Sequence, residues 1–304
     1  MASRNKGLKI VARSPRGKAS AQAAAQRPTV SARWLLIAVA TTFVAAALCA
    51  WGSMCLLFWQ GSWQLLYHPK TAITRTPAAA GIAFEPIGFA ATQTGQLRLQ
   101  GWWIPAAPGA RFANVTVLYL HGATGNISES VDALAALHAA GVTVFTFDYR
   151  GYGQSQFAHP NETRWRQDAN WAIEYLTGTR QLAPRSIVLD GTGLGANLAA
   201  EIAAAHPELA GVVLDAPLPH AANVIFDDPR AELVPAHLLV GDRWHLNAAA
   251  SAVRIPSLWF VPANDAQSMA AYDKASGHKT LLRSATSGPA FGQTFTAWLS
   301  SLSH

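Results

Sequence analysis

Between Arg33 and Lys70 the chain carries no Lys, Arg, Asp or Glu, and the run Trp34 to Trp59 is built mostly of Leu, Ala, Val, Phe and Trp. A segment apolar on every side, with no polar face, predicts a helix in lipid rather than one lying on a protein core. At 1.5 Å per residue it spans about 39 Å, against about 30 Å for the hydrocarbon core of a bilayer. Trp34 stands at one end and Trp51, Phe58, Trp59 and Trp63 at the other, where membrane interfaces favour aromatic rings. A signal peptide cleaved near Ala47 or Ala50 is the alternative, but its apolar stretch would be only about 7–15 residues long.

From about residue 65 the pattern changes to short β-branched runs alternating with Ala-rich ones. Strands are predicted over Gly81–Phe89, Leu97–Ile104, Val115–Leu120, Thr143–Phe147, Ser186–Leu189, Gly211–Leu214, Ser257–Val261 and Thr280–Arg283. Helices are predicted over Glu129–Ala140, Thr163–Thr177, Ala196–Ala205, Asp265–Ala275 and Ala290–Leu302. The first two strands form an antiparallel hairpin about Thr92–Gly95. Val115–Leu120 and Thr143–Phe147 are apolar almost throughout, as central strands covered on both faces are. Strands alternating with helices imply an α/β fold: a mainly parallel, doubly wound sheet of about eight strands, preceded by one transmembrane helix. The chain then divides into a basic disordered tail (1–33), the span (34–59), a linker (60–80) and an α/β domain (81–304) with a lid insertion around 218–255.

Charge turns this division into an orientation. The net charge is +6, yet eight of the 23 Lys and Arg precede Trp34 and the first carboxylate is Glu85, so residues 34–304 hold 15 bases against 17 acids. The positive-inside rule puts such a tail in the cytoplasm and the domain outside it. A near-neutral domain argues against nucleic acid as a partner and leaves the bilayer as the expected one. At 13% charged and 50% hydrophobic residues, the composition is that of a folded protein. Both cysteines, Cys49 and Cys55, lie in the span, so the domain has no thiol chemistry and no disulfide framework.

In open α/β sheets ligands bind beyond the carboxyl ends of the strands. Four segments fall there: Tyr119-Leu120-His121-Gly122-Ala123, Asp148-Tyr149-Arg150-Gly151-Tyr152-Gly153-Gln154-Ser155, Leu189-Asp190-Gly191-Thr192-Gly193-Leu194-Gly195, and Pro262-Ala263-Asn264-Asp265. The third is G-x-G-x-G, which is not the dinucleotide spacing, and no G-x-x-x-x-G-K-[ST] loop is present, so no cofactor is expected. His220, His237 and His245 in the lid match no compact metal-ligand spacing.

In this order, with Tyr67-His68-Pro69, Thr76-Pro77 and Gly101–Pro105, these segments resemble the α/β-hydrolase superfamily. The nearest branch resembles membrane-anchored serine hydrolases related to serine aminopeptidases and monoacylglycerol lipases. The resemblance implies a G-x-S-x-G elbow between strand and helix, followed in chain order by an acid and a histidine. Gly191, Leu194 and Gly195 fit the elbow, but its nucleophile position is Gly193, which has nothing with which to attack a carbonyl. Thr192 and Ser155 are weaker substitutes. Asp265 takes the acid position, with helix capping as its competing role and Asp215 as a weaker acid. The loop after the last strand, Ser284–Ala290, has no histidine; His278 precedes that strand and His304 ends the chain. The resemblance further implies an oxyanion hole from the backbone N–H groups of Ala123 and Leu194, and gives His121 a structural part beside Gly122. Tyr149, Arg150 and Tyr152 are expected to knit the loops, and Trp244 and Phe226 to cover the pocket. The expectation is a catalytically impaired pseudo-hydrolase that binds a lipid, acyl ester or partner protein. The alternative is an active esterase, lipase or peptidase acting on acyl esters or amides with a non-standard nucleophile.

Overall fold

The computed structural model describes residues 30–283 and 289–302. It divides into two compact units, Met1–Gly52 and Ser53–His304. One helix, α1 (Ala32–Gly61), long and apolar enough to cross a membrane, supplies the described body of the first unit, and its last turns, with its one buried residue Phe58, belong to the second.

The second unit is built on an eight-stranded sheet. In chain order it comprises β1 (His68–Pro69), β2 (Glu85–Ala91), β3 (Leu97–Ile104), β4 (Thr116–Leu120), β5 (Thr124–Gly125), α2 (Val131–Ala139), β6 (Thr143–Asp148), α3 (Glu162–Glu174), β7 (Ile187–Thr192), α4 (Leu194–Ala205), β8 (Gly211–Asp215), α5 (Asn223–Phe226), α6 (Ala236–Leu239), α7 (Leu246–Ala252), β9 (Ser257–Phe260), α8 (Ala266–Lys274), β10 (Lys279–Leu282) and α9 (Pro289–Leu302). The sheet order is β10-β9-β8-β7-β4-β6-β3-β2; β2 and β3 are antiparallel, β3 is antiparallel to β6, and β6 to β10 run parallel.

Strand side chains alternate between two faces, and each face has its own core. Leu118, Leu120, Phe145, Leu189 and Leu214 pack with α3 and α4. Val117, Val144, Val188, Val213 and Leu258 pack with α2 and α9. The strands are buried on both sides for this reason, and no polar alternation survives in them.

The predicted elements are present, with ends displaced by local chemistry. β2 begins at Glu85 rather than Gly81, because Gly81 closes a 3-10 turn, Pro77–Ala80, at φ 72°. The helix expected from Glu129 starts at Val131 after a 3-10 turn over Ile127–Ser130, and α4 starts two residues early, at Leu194. α3 ends in a π-turn, Tyr175–Thr179.

Two expectations about the juncture are corrected. Residues 60–80 are not a linker: Tyr67 is buried, donates to Asp242 Oδ2 at 2.6 Å and accepts from Trp244 Nε1 at 3.0 Å, while β1 pairs with β5. Phe58, expected as an interfacial ring, is buried in the domain core, and Trp63 stacks on His159 at 4.9 Å. The buried hydroxyl–carboxylate contact of Tyr67 and the burial of the Phe58 ring tie this stretch to the domain.

Candidate active site

The turn between β7 and α4 is set by three glycines with different duties. Gly193 has φ 57° and ψ −121°, a left-handed conformation costly for a side-chain-bearing residue. It is fixed by its own N–H, which donates to Asp215 O at 2.8 Å. A Cβ added at Gly193 would meet nothing within 4 Å, so the turn leaves open space at its tip. Gly191 and Gly195 have no such room: a Cβ on Gly191 would strike the carbonyl of Gly195, and one on Gly195 the carbonyls of Leu120 and His121. The flanking glycines therefore let α4 approach the sheet.

The tip faces a cavity of about 770 Å³ beyond the carboxyl ends of β4 and β7, within the size range of small-molecule sites. Ala123 and Leu194 line it, and among the described residues neither backbone N–H donates a hydrogen bond. Leu194 is the first residue of α4, where the N–H has no intrahelical acceptor. The carbonyl of Ala123 is held by Tyr152 Oη at 2.8 Å and by His68 N at 2.9 Å, and Tyr149 Oη donates to His121 O at 3.2 Å. Arg150 reaches the buried Asp168 through Nε at 2.6 Å and its backbone N at 2.9 Å. The Tyr149–Tyr152 loop thus braces the turn that carries Gly122 and Ala123.

Asp265 lines the cavity but caps α8: Oδ1 accepts from Ser268 N at 2.9 Å and Oδ2 from Ser268 Oγ at 2.5 Å. Partial burial pushes its carboxyl up, but these bonds and one from Gln267 N–H prevail and hold it below the usual carboxylate range. No histidine bonds to it among the described residues. His278 lies at the opposite end of the sheet, where its carbonyl accepts from Ser257 N at the start of β9, so it is not placed to act as the base. The Ser284–Ala290 loop side chains and His304 lie outside the described residues. Ser155 is structural, donating to Asp148 O at 2.5 Å and accepting from Gln100 N.

His121 is buried in the wall. Its Nδ1 lies 2.8 Å from Gly122 O, which can only accept, so Nδ1 carries the proton and Nε2 presents a lone pair 3.6 Å from Asp148 Oδ1. Burial pulls His121 down to about 4 and pushes Asp148 up to about 7, the latter against a bond from Ile127 N. Unfolded, the histidine would hold the proton across this range; folded, the aspartic acid holds it, so burial replaces an ion pair by a neutral one. The two slopes oppose each other. Raised Asp148 costs stability as pH climbs from about 4 to about 7, while lowered His121 gains it from about 4 to about 6.5. Asp148→Asn removes the first alone. The variant is expected to gain on the wild type by up to about 1.4 kcal/mol per pH unit across that window in urea denaturation series; parallel pH profiles would contradict the pairing.

The lid differs from expectation. Trp244 does not cover the pocket but is buried edge-on to Trp165 at 5.6 Å, and Phe226 lines a separate cavity of about 340 Å³ with His237 stacked on it at 4.3 Å. The pocket is lined by Leu218, Pro219, Ala221 and Val224 of the insertion together with Leu65, Leu66 and His68. These three were missed because their segment reads as a linker. The signal available was the continuation of the charge-free run as far as Lys70.

Elbow, helix layers and sheet order together define an α/β-hydrolase fold. A family model described as alpha/beta hydrolase fold matches residues 115–238. An uncharacterised Mycobacterium tuberculosis protein is 33% identical over 174 residues, 56% of this chain and 58% of its own length. The uncharacterised protein YfhR of Salmonella typhi is 35% identical over 133 residues, 43% of each chain. The chain thus spans about half the length of the curated relatives it matches. Among solved structures, an esterase of Pyrococcus furiosus superposes with a TM-score of 0.57 at 17% identity, over 78% of this chain and 96% of that one. At that identity the likeness is one of fold.

Proposed function

We propose that the domain is a binding protein made from an esterase-like pocket, with catalysis lost at Gly193. One observation carries the reading: a strand-to-helix turn whose glycine tip is open space, beside a cavity lined by Ala123 and Leu194, whose N–H groups donate no hydrogen bond among the described residues. Those N–H groups suit a carboxylate or ester carbonyl, and the apolar walls suit an acyl chain. The Tyr67–Pro69 and Asp148–Gly153 runs support kinship with the aminopeptidase and monoacylglycerol-lipase branch. The helix α1 serves as a membrane anchor in this reading, with the basic tail cytoplasmic and the domain outside. Purified full-length protein is expected to show no fluorophosphonate labelling and no turnover of p-nitrophenyl esters above background, yet to bind a long-chain fatty acid by fluorescence displacement. Stoichiometric labelling or steady turnover would overturn it.

A second reading has one observation in its favour. Thr192 lines the cavity and its Oγ1 lies 3.3 Å from Asp215 Oδ2, a carboxyl that burial pushes up to about 7. A Thr192 nucleophile with Asp215 as base would be labelled at Thr192, and Thr192→Ala would abolish the labelling.

A further inference from the structure

One side of the pocket is lined by two segments without charge. No Lys, Arg, Asp or Glu occurs from Trp34 to Pro69, nor from Ala216 to Phe226. Far apart in sequence, they meet in the fold: the 3-10 turn Ser62–Leu65 touches α5, and Leu65 and Leu66 line the cavity with Leu218 and Val224. Leu218 and Val224 are 42% and 48% exposed. Single exposed leucines are ordinary on a protein surface; two uncharged apolar segments meeting as a rim along one side of a pocket, away from Glu129 and Asp265 in its lining, are not.

The chain leading into this rim says what covers it. At about 1.5 Å per residue α1 is about 45 Å long, some ten residues more than a bilayer core of about 30 Å needs. Within the Ser53–His304 unit its last turns pack Met54, Cys55 and Phe58 on the domain core, while Leu57 and Trp59 remain exposed. The helix ends at Gly61 and the pocket wall begins at Leu65, with only one 3-10 turn between them. A surface joined so closely to a lipid-seeking helix, and itself uncharged, fits the hydrocarbon boundary of a bilayer better than water or a charged partner.

We propose that this rim docks on the lipid bilayer, so that the pocket exchanges a single-chain amphiphile with a carboxyl or ester head directly with the membrane. The inference rests on the reading of the cavity as an acyl-ligand site and of α1 as its anchor. The chain of the ligand would pass between Leu65 and Val224, and its head would reach the N–H groups of Ala123 and Leu194.

The test uses full-length protein in phosphatidylcholine vesicles with the photo-crosslinking residue p-benzoylphenylalanine placed singly at Leu218, Val224 or Arg185. Arg185 is exposed beside the start of β7, at the end of the sheet away from the pocket. Lipid adducts by mass spectrometry are expected at Leu218 and Val224 and not at Arg185. No adducts at the rim, or equal adducts at Arg185, would overturn the docking. In parallel, Leu218→Asp/Val224→Asp is expected to slow uptake of a fluorescent fatty acid from vesicles about tenfold or more, since a carboxylate is poorly tolerated in hydrocarbon. Because both residues also line the pocket, uptake is compared with the affinity each variant retains in detergent, and a loss of uptake no larger than the loss of affinity would overturn lateral exchange. Leu218→Ser/Val224→Ser serves as the milder variant, with circular dichroism as the check on folding. Unchanged uptake would overturn lateral exchange. Absence of fatty-acid binding by the wild type in detergent would instead overturn the pocket reading, and the crosslinks would still decide the docking.

Discussion

Gly195→Ala is expected to cost about 3 kcal/mol or more and to melt well below Gly193→Ser, two residues earlier. The difference lies in what each new Cβ meets. At Gly195 it collides with the backbone carbonyls of Leu120 and His121, which no rotamer change relieves, so α4 must lift from the sheet. At Gly193 it enters open space, and the cost is that of holding a serine at φ 57°, about 1–3 kcal/mol. Against a typical domain stability of about 5–15 kcal/mol, the first change leaves the smaller margin. Thermal unfolding followed by circular dichroism gives the ranking. Gly193→Ser alone is expected to yield no esterase, because Asp265 is engaged with Ser268 and no histidine stands beside it among the described residues. A stable Gly195→Ala protein would contradict the close packing described for the elbow.

Arg150→Met is expected to cost about 3–5 kcal/mol at pH 8, the cost of leaving a buried carboxylate without its partner. Asp168 has no exposed surface, and Arg150 supplies its two hydrogen bonds from Nε and the backbone N. Burial pushes Asp168 up to about 6 even against this pairing. Without the guanidinium it would rise further and take up a proton, so the deficit should shrink on going from pH 8 to pH 6. Urea denaturation at the two pH values measures both effects. Since Tyr149 and Tyr152 brace the Gly122–Ala123 turn from the same loop, the variant should also bind fatty acid more weakly. A deficit under 1 kcal/mol would mean that Asp168 is already neutral when paired.

Much of the site was legible as chemistry along the chain. The charge-free run predicted α1 to within two residues at each end, and the apolar runs at 116–120 and 143–148 are the central strands. The G-x-G-x-G turn could be placed between a strand and a helix because glycine spacing, β-branched runs and Ala-rich periodicity are local signals. Asp265 as a helix cap was legible too, since a short acidic residue before an Ala-rich stretch is a local signal.

What stayed hidden depended on contacts between distant segments. Nothing along residues 60–80 marks Tyr67 as buried; its burial follows from Asp242 and Trp244, which arrive with the lid. Trp244 read as a cover for the same reason, because hydrophobicity says that a side chain is buried but not against what. The proton held by Asp148 rather than His121 is likewise a product of desolvation, which exists only once the two are packed together.

The sequence by itself determined the apolar helix, the uneven charge, the α/β alternation and the glycine at the elbow tip, because each is a property of neighbouring residues or of their period. Only the tertiary structure decided that Gly193 opens onto free space while Gly195 cannot, and that the stretch after the helix is a wall of the pocket. It also decided that two uncharged segments meet along one side of the pocket. Those facts concern the distance between groups far apart along the chain, and that distance is set by packing the two faces of the sheet.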